Sequence, residues 1–516
     1  MAKQRSSSFN TYINIITSVG VMVVNLFISF WLSPYIIRTI GVEANGFVSL
    51  ANNFVTYANL IVTALNAMAA RFITIAYIQQ DYKKANMYYN SVFWGNLIIV
   101  AVLLIPAAYL VVRLESFIDV PVDILLDVKI LFSLVFLSFF VRTGAPNYDC
   151  GTYITNRMDL SYIPNMFTSL LRCILLVCMF TIWTPHVWYV SFVSTLLGFI
   201  TLGIAGYWTH KLTPELRVCL KKPLCSWHAI CELVGAGIWN SISIAGNMLL
   251  TGLDLLICNM ALGATSMGLL SLAKTLPGIL IQFSESIRGA FGPELTIAYA
   301  KGDNAYLRKC ISRAMKITSV LVTIPAAGLV IMSDAFYKLW VPSQDAKLLQ
   351  VLTTLSILSY LINSGIVVLF GVFSAVNRVR DNSIAMIVSG FCSVILTIAA
   401  IALSDWDLYA VAGVSSLVTI LKNLVFTIPV ASKLIGLKWN TFYPQVLHSI
   451  MSCAVIIGIG WIVKLILPIN GWITFFLACV ITGILGLCAN MMIVLNREER
   501  NYLIGMFKRR LPKIKH

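Results

Sequence analysis

The chain has 516 residues, a formal net charge of +16, only 11% charged residues and a mean hydropathy of +0.86. A soluble globular chain carries about 25% charged residues, so this composition excludes a soluble domain and marks a polytopic membrane protein. The basic residues stand in short clusters at the ends of hydrophobic runs, which argues against a nucleic-acid partner. The 12 Cys and five His show no ligand spacing, so neither a metal nor a cofactor is expected, and the thiols read as small buried hydrophobes.

In chain order, Met1–Asn10 is basic and Ser-rich. The run from Tyr12 to Ile37 exceeds a signal-peptide core of about 7–15 residues and reads as a retained first span. Apolar runs of about 20 residues suit one bilayer crossing each. Fourteen are expected, at 12–37, 46–70, 89–112, 124–143, 161–183, 187–208, 231–259, 265–290, 314–333, 349–373, 383–403, 408–432, 443–467 and 471–495. The fold class is therefore an all-α polytopic membrane protein with 14 transmembrane helices. If the N-terminus is cytoplasmic, the inner connections hold most of the Lys and Arg, from Lys3 and Arg5 to Lys433 and Lys438, and so does the tail. The outer ones hold Glu43, Glu115, Asp119, Asp334, Asp405 and Asp407 instead. The positive-inside rule then places both termini in the cytoplasm and predicts an even helix count. The outer connections are short, the longest running near Ser333–Leu348. The tail from Asn496 reads as solvated and basic.

Part of the chain occurs twice. Gly41-Val-Glu-Ala-Asn-Gly46 through Ser49-Leu-Ala51 to Thr74-Ile-Ala-Tyr77 and Asp81 is answered by Gly263-Ala-Thr-Ser-Met-Gly268, Ser271-Leu-Ala273, Thr296-Ile-Ala-Tyr299 and Asp303, at an offset of 222 without a gap. About ten of roughly forty positions are identical, which chance rarely gives in one register. Asn156-Arg157 and Asn377-Arg378 follow at an offset of 221. The expected organisation is a six-helix bundle over 1–222, a second over 223–440, two further helices over 441–495 outside the repeat, and a basic tail over 496–516. Six is even, so the halves form a parallel repeat about the membrane normal.

Polar residues inside the spans recur at steps of 0, 7, 11 and 14, which keeps each set on one face of its helix. Helix 1 carries Ser18, Asn25 and Ser29. Helix 2 carries Asn52, Asn59, Thr63 and Asn66. Helix 7 carries Asn240, Asn247, Thr251 and Asp254, and helix 8 carries Lys274, Glu285 and Arg288. Polar groups facing lipid cost several kcal/mol, so these stripes are expected to face one another or a watery cavity at the axis. Asn, Ser and Thr also serve as plain interhelical hydrogen bonds. Ionised Lys274, Arg288, Asp254 and Glu285 point rather to function, although Glu285 and Arg288 at i and i+3 are equally suited to pair structurally. With Arg71 nearer the inner end of helix 2, the cavity is cationic on balance and suits a phosphate or pyrophosphate rather than a cationic drug. Arg172, Lys422 and Lys464 are further embedded cations, ranked lower, with Lys464 expected to snorkel.

This layout resembles the multidrug/oligosaccharidyl-lipid/polysaccharide (MOP) exporter superfamily. Tyr35-Ile-Ile-Arg-Thr-Ile-Gly41-Val-Glu-Ala-Asn-Gly46, the Arg71–Tyr77 helix end with Asp81, and Asn156-Arg157 look most like its polysaccharide transporters, the Wzx-type flippases. The resemblance implies a non-enzymatic flippase in a bacterial cytoplasmic membrane. Two bundles would carry an undecaprenyl-diphosphate-linked oligosaccharide (an O-antigen, capsule or exopolysaccharide unit) by alternating access. Lys274, Arg288, Arg71, Asn52, Asn59, Asn66, Asn25 and Asn247 would bind substrate. Asp254 and Glu285 would couple H+ or Na+, and a glycan polymerase or another biosynthetic membrane protein is an expected neighbour. A multidrug antiporter of the same fold would carry an acidic cavity. A peptidoglycan lipid-precursor flippase would carry arginines on helix 1, which has no charge between Thr11 and Ile37.

Overall fold

The computed structural model describes residues 7–155, 157–219, 225–300, 304–376, 378–496 and 500. Asn156, Asn377, Asp303 and most of the basic tail lie outside the described residues. Among the described residues all regular structure is helical, and twelve helices are long and apolar enough to cross a membrane. The chain forms two compact units. One joins the chain through Ala245 to Asn259–Gly268, and the other joins Gly246–Cys258 to the chain from Leu269 onward.

In the first unit, α1 (Ser7–Ile40), α2 (Val42–Asn66), α3 (Ala69–Ile78), α4 (Tyr82–Val112), α5 (Leu114–Phe117), α6 (Leu125–Gly144), α7 (Asp149–Ile154), α8 (Asp159–Ile182), α9 (Tyr189–Leu212) and most of α10 (Trp227–Asn247) build the bundle. Helix α1 packs along α8 and α8 along α9, while α6 lies between α4 and α9. One core gathers Ile28, Leu176, Phe180 and Val193, and another gathers Leu65, Ile73, Tyr88, Tyr89, Ala229 and Leu233. The repeat's Asp81 is an N-cap: its carboxylate accepts from the Lys84 N–H at 3.0 Å and so satisfies one free donor at the start of α4.

Both repeat glycines that open a span lie in the left-handed region, Gly41 at φ +94 and Gly263 at φ +86. Only glycine adopts this turn without a steric penalty, so the residue identity follows from the backbone. Gly41 precedes α2, and Gly263 interrupts α11 (Asp254–Ala273). The apolar run Trp227–Ala273 therefore turns within its length, between the spans expected at 231–259 and 265–290.

The segment after α9 is held in an unusual way. Asn86 donates to the carbonyl of Glu215 at 2.8 Å and accepts from the N–H of Arg217 at 2.9 Å. Asn90, one helical turn on, donates to the carbonyl of Arg217 and accepts from the N–H of Cys219. Two side-chain amides thus pair with alternate residues of an extended stretch, much as a neighbouring strand would.

The second unit contains α12 (Thr275–Ala300), α13 (Asn304–Trp340), α14 (Ala346–Asn363), α15 (Leu369–Ala375), α16 (Val379–Leu403), α17 (Asp407–Lys422), α18 (Ile428–Leu434), α19 (Tyr443–Ile466) and α20 (Trp472–Ile493). Helix α13 runs on to Trp340, so Asp334 belongs to a helix rather than to the connection expected from Ser333. Helices α19 and α20 are integral to this unit. Along the α13–α19 seam, Gln445 donates to Ser312 Oγ at 2.7 Å, and hydroxyl pairs join Ser319 to Ser449 and Thr323 to Ser452. Lys464 completes the seam with Asp334 at 2.6 Å and the Ile331 carbonyl, so it is paired within the bundle.

Candidate functional site

Helix α2 carries asparagines at every seventh residue, Asn45, Asn52, Asn59 and Asn66, alternating with Val48, Val55 and Val62. A seven-residue step drifts only about 20° around a helix, so amides and valines form two adjacent rows on one face. All seven residues line a single cavity of about 870 Å³ inside the first unit. From Asn45 to Asn66 the row rises roughly 30 Å at 1.5 Å per residue, close to the depth of a bilayer's hydrocarbon core. The facing walls come from α6, the start of α7 with the residues before it, α8 and α9, with Arg142, Tyr148, Asp149, Asn165, Arg172, Ser191 and Ser194 among the polar contributors.

The amides differ in what remains free. Asn66 and Asn96 form a reciprocal pair, at 2.8 and 3.2 Å. Asn52 gives one N–H to the Val48 carbonyl at 2.9 Å, which leaves its oxygen and second N–H. Asn59 is exposed to the cavity with no hydrogen bond from its amide among the described residues, whereas the Nε of Arg172 is buried without a partner. An unpaired buried donor costs about 1–3 kcal/mol, more when charged. The first unit therefore offers neutral amides and a guanidinium along one wall.

The second unit holds the charged stripe. Lys274 Nζ forms an ion pair with Asp254 and also donates to the Thr251 carbonyl at 3.3 Å. Asp254 is 3% exposed and follows the π-helical turn Met248–Gly252. Such turns occur often at functional positions. Glu285 and Arg288 pair with each other on α12, both about two-fifths exposed. Two of the three proposed substrate cations, Lys274 and Arg288, thus meet the proposed coupling carboxylates directly. Asn247 is exposed at the end of α10, Asn25 is half-buried on α1, and Arg71 is exposed on α3; none of the three lines the cavity. Lys422 is buried with its Nζ 3.3 Å from Met386 Sδ and 4.8 Å from the Phe370 ring centre.

Sequence reasoning singled out Asn52, Asn59 and Asn66 but not Asn45, Asn96, Asn165 or Arg142. Asn45 was readable as one more step of seven; the others carry no periodic signal.

The helical architecture resembles that of solved transporters. A solved structure of the lipid II flippase MurJ, inward closed, superposes with a TM-score of 0.65 at 12% identity, over 95% of this chain and 100% of that one. An inward-facing multidrug resistance MATE family transporter of the MOP superfamily gives 0.62 at 13% identity, over 86% of this chain and 98% of the other. In sequence the chain is 25% identical over 501 residues to the uncharacterized membrane protein EpsK of Bacillus subtilis (strain 168), covering 96% of this chain and 98% of that protein. No family model matches.

Proposed function

We propose that the protein is a Wzx-type flippase that moves an undecaprenyl-diphosphate-linked oligosaccharide across a bacterial cytoplasmic membrane, with both termini cytoplasmic and without enzymatic chemistry. The observation that carries this reading is the cavity of the first unit. Its volume of about 870 Å³ is large for an ion, and among the described residues its wall sets Arg142 and Arg172 against one acidic side chain, Asp149. That balance favours an anionic, hydroxyl-rich ligand over a cationic drug. The MOP fold and the likeness to EpsK support it. The reading counts fourteen crossings: α1 adds one to the twelve, and α12, continuing the chain after the turn at Gly263, adds another.

The ion pairs fit such a cycle. A substrate phosphate competes with Asp254 for Lys274 and with Glu285 for Arg288. A carboxylate released from its cation then takes up H+ or Na+, which links substrate entry to ion uptake without a separate site. Each charge-assisted hydrogen bond exchanged is worth about 1.5–3 kcal/mol, enough to bias a transport step. Arg71, Asn25 and Asn247 serve as outlying polar contacts in this scheme.

Complementation tests it. Expression in bacteria that each lack one lipid-linked glycan flippase should restore exopolysaccharide, capsule or O-antigen export. Rescue of a peptidoglycan-precursor flippase strain alone, or of drug resistance alone, overturns it.

A further inference from the structure

We infer that the α2 wall of the first unit's cavity is a glycan-reading subsite, and that it selects an oligosaccharide bearing an acidic group placed at Arg172. This rests on the transport reading above and specifies which part of the ligand the cavity takes. A sugar hydroxyl both donates and accepts, and so does a carboxamide; no charged side chain offers both. Asn52 and Asn59 stand about 10 Å apart along α2, which is the scale of several linked sugars rather than of one. Between them Val55 gives an apolar strip suited to the C–H faces of sugar rings.

Arg172 adds the second element. A guanidinium stays charged in any protein environment, and its donors sit in a rigid fork that matches a planar carboxylate. Arg172 lies on the wall of the cavity, and its Nε is closed off from solvent without a partner among the described residues, so a modest turn of the side chain presents the fork to a ligand. A carboxylate on the glycan satisfies the fork bidentately. A pyrophosphate has the same charge and similar oxygens, so the two must be separated by experiment. The amides favour the glycan: they flank Arg172's cavity along its length, and a pyrophosphate uses only their N–H donors and leaves their carbonyl oxygens unmatched.

The test uses the full-length protein in lipid nanodiscs and three probes: a neutral oligosaccharide, an oligosaccharide of the same length built from uronic acids, and inorganic pyrophosphate. Calorimetric titration should show the acidic oligosaccharide binding more tightly than the neutral one. Arg172→Gln should erase that preference, lowering affinity for the acidic probe by about tenfold to a hundredfold and leaving the neutral probe unchanged. Asn59→Leu should weaken both sugars, and Asn59→Gln should retain part of the binding. Melting curves of each variant identify any loss that comes from misfolding. Equal binding of neutral and acidic probes to the wild type overturns the inference, as does full competition by pyrophosphate or intact binding by Asn59→Leu. A wild type that restores glycan export yet binds neither sugar sinks this subsite and leaves the transport reading standing. Sugar binding without export in any strain does the reverse.

Discussion

Gly46 and Gly268, equivalent residues of the two repeats, lie backbone against backbone. A Cβ built on Gly46 falls 2.9 Å from the Gly268 Cα, and one on Gly268 falls 2.7 Å from the Val42 carbonyl oxygen. One turn earlier, Thr265 donates to the carboxylate of Glu43, again a pair separated by 222 residues. The repeat is thus written into a contact between its own copies.

This contact makes Gly46→Ala and Gly268→Ala costly. The added methyl meets main chain, which cannot rotate away, so overpacking of about 1–3 kcal/mol is expected. Gly235→Ala in α10 and Gly458→Ala in α19 meet nothing within 4 Å and should be neutral or stabilising, by about 0.5–1 kcal/mol from helix propensity. Melting of the four purified variants checks this. Equal stability of Gly46→Ala and wild type would contradict the close approach.

The two ion pairs should respond differently to mutation. Lys274→Met leaves Asp254 buried without its cation, a loss of about 3–5 kcal/mol that Asp254→Leu in the same chain should largely recover. Arg288→Ala disturbs a half-exposed pair and should cost about 0–1 kcal/mol. Stability and transport measured on the singles and doubles separate the roles. Transport that stays normal in Lys274→Met and Arg288→Ala would remove both cations from the substrate site.

Lys422 is predicted to cost stability. Its amine is buried against sulfur and a ring face, and no carboxylate pairs with it among the described residues. Lys422→Met keeps the volume and removes the desolvation penalty, so folded protein should rise by about 1 kcal/mol or more. A lower melting temperature for Lys422→Met would show that the ammonium is well solvated or paired.

Limited proteolysis reports on the hold over residues 215–219. Asn90→Leu removes two hydrogen bonds to that stretch, at the Arg217 carbonyl and the Cys219 N–H. Trypsin should then cut after Arg217 several times faster than in the wild type, read by the mass of the fragment ending there. An unchanged rate would mean that the buried Leu216 anchors the segment alone.

Much of the fold was legible because lipid imposes a simple rule: apolar runs of fixed length must be helices. The repeat was legible for a related reason, since Gly41 and Gly263 must be glycine to make their turn. Polar partnerships were not legible. Lys274 meets Asp254 across the turn that the expected spans ending at 259 and beginning at 265 place, but the pairing itself carries no periodic signal, and Arg172 differs from a bridging arginine only by lacking a partner. The steps of seven placed Asn52, Asn59 and Asn66 on one face correctly. They did not say that this face walls a cavity within the first unit, because periodicity gives the direction of a stripe on its own helix and not the neighbour it meets.

The asparagine pair on α4 reads only main-chain atoms. Side chains at 215, 217 and 219 are therefore under little constraint from Asn86 and Asn90, whereas proline at 217 or 219 would delete a required N–H. Leu216, buried between them, must stay apolar. Glu215 is held separately, as acceptor from the Tyr77 hydroxyl, so only the side chains at 217 and 219 are free to change while the path of the backbone stays fixed.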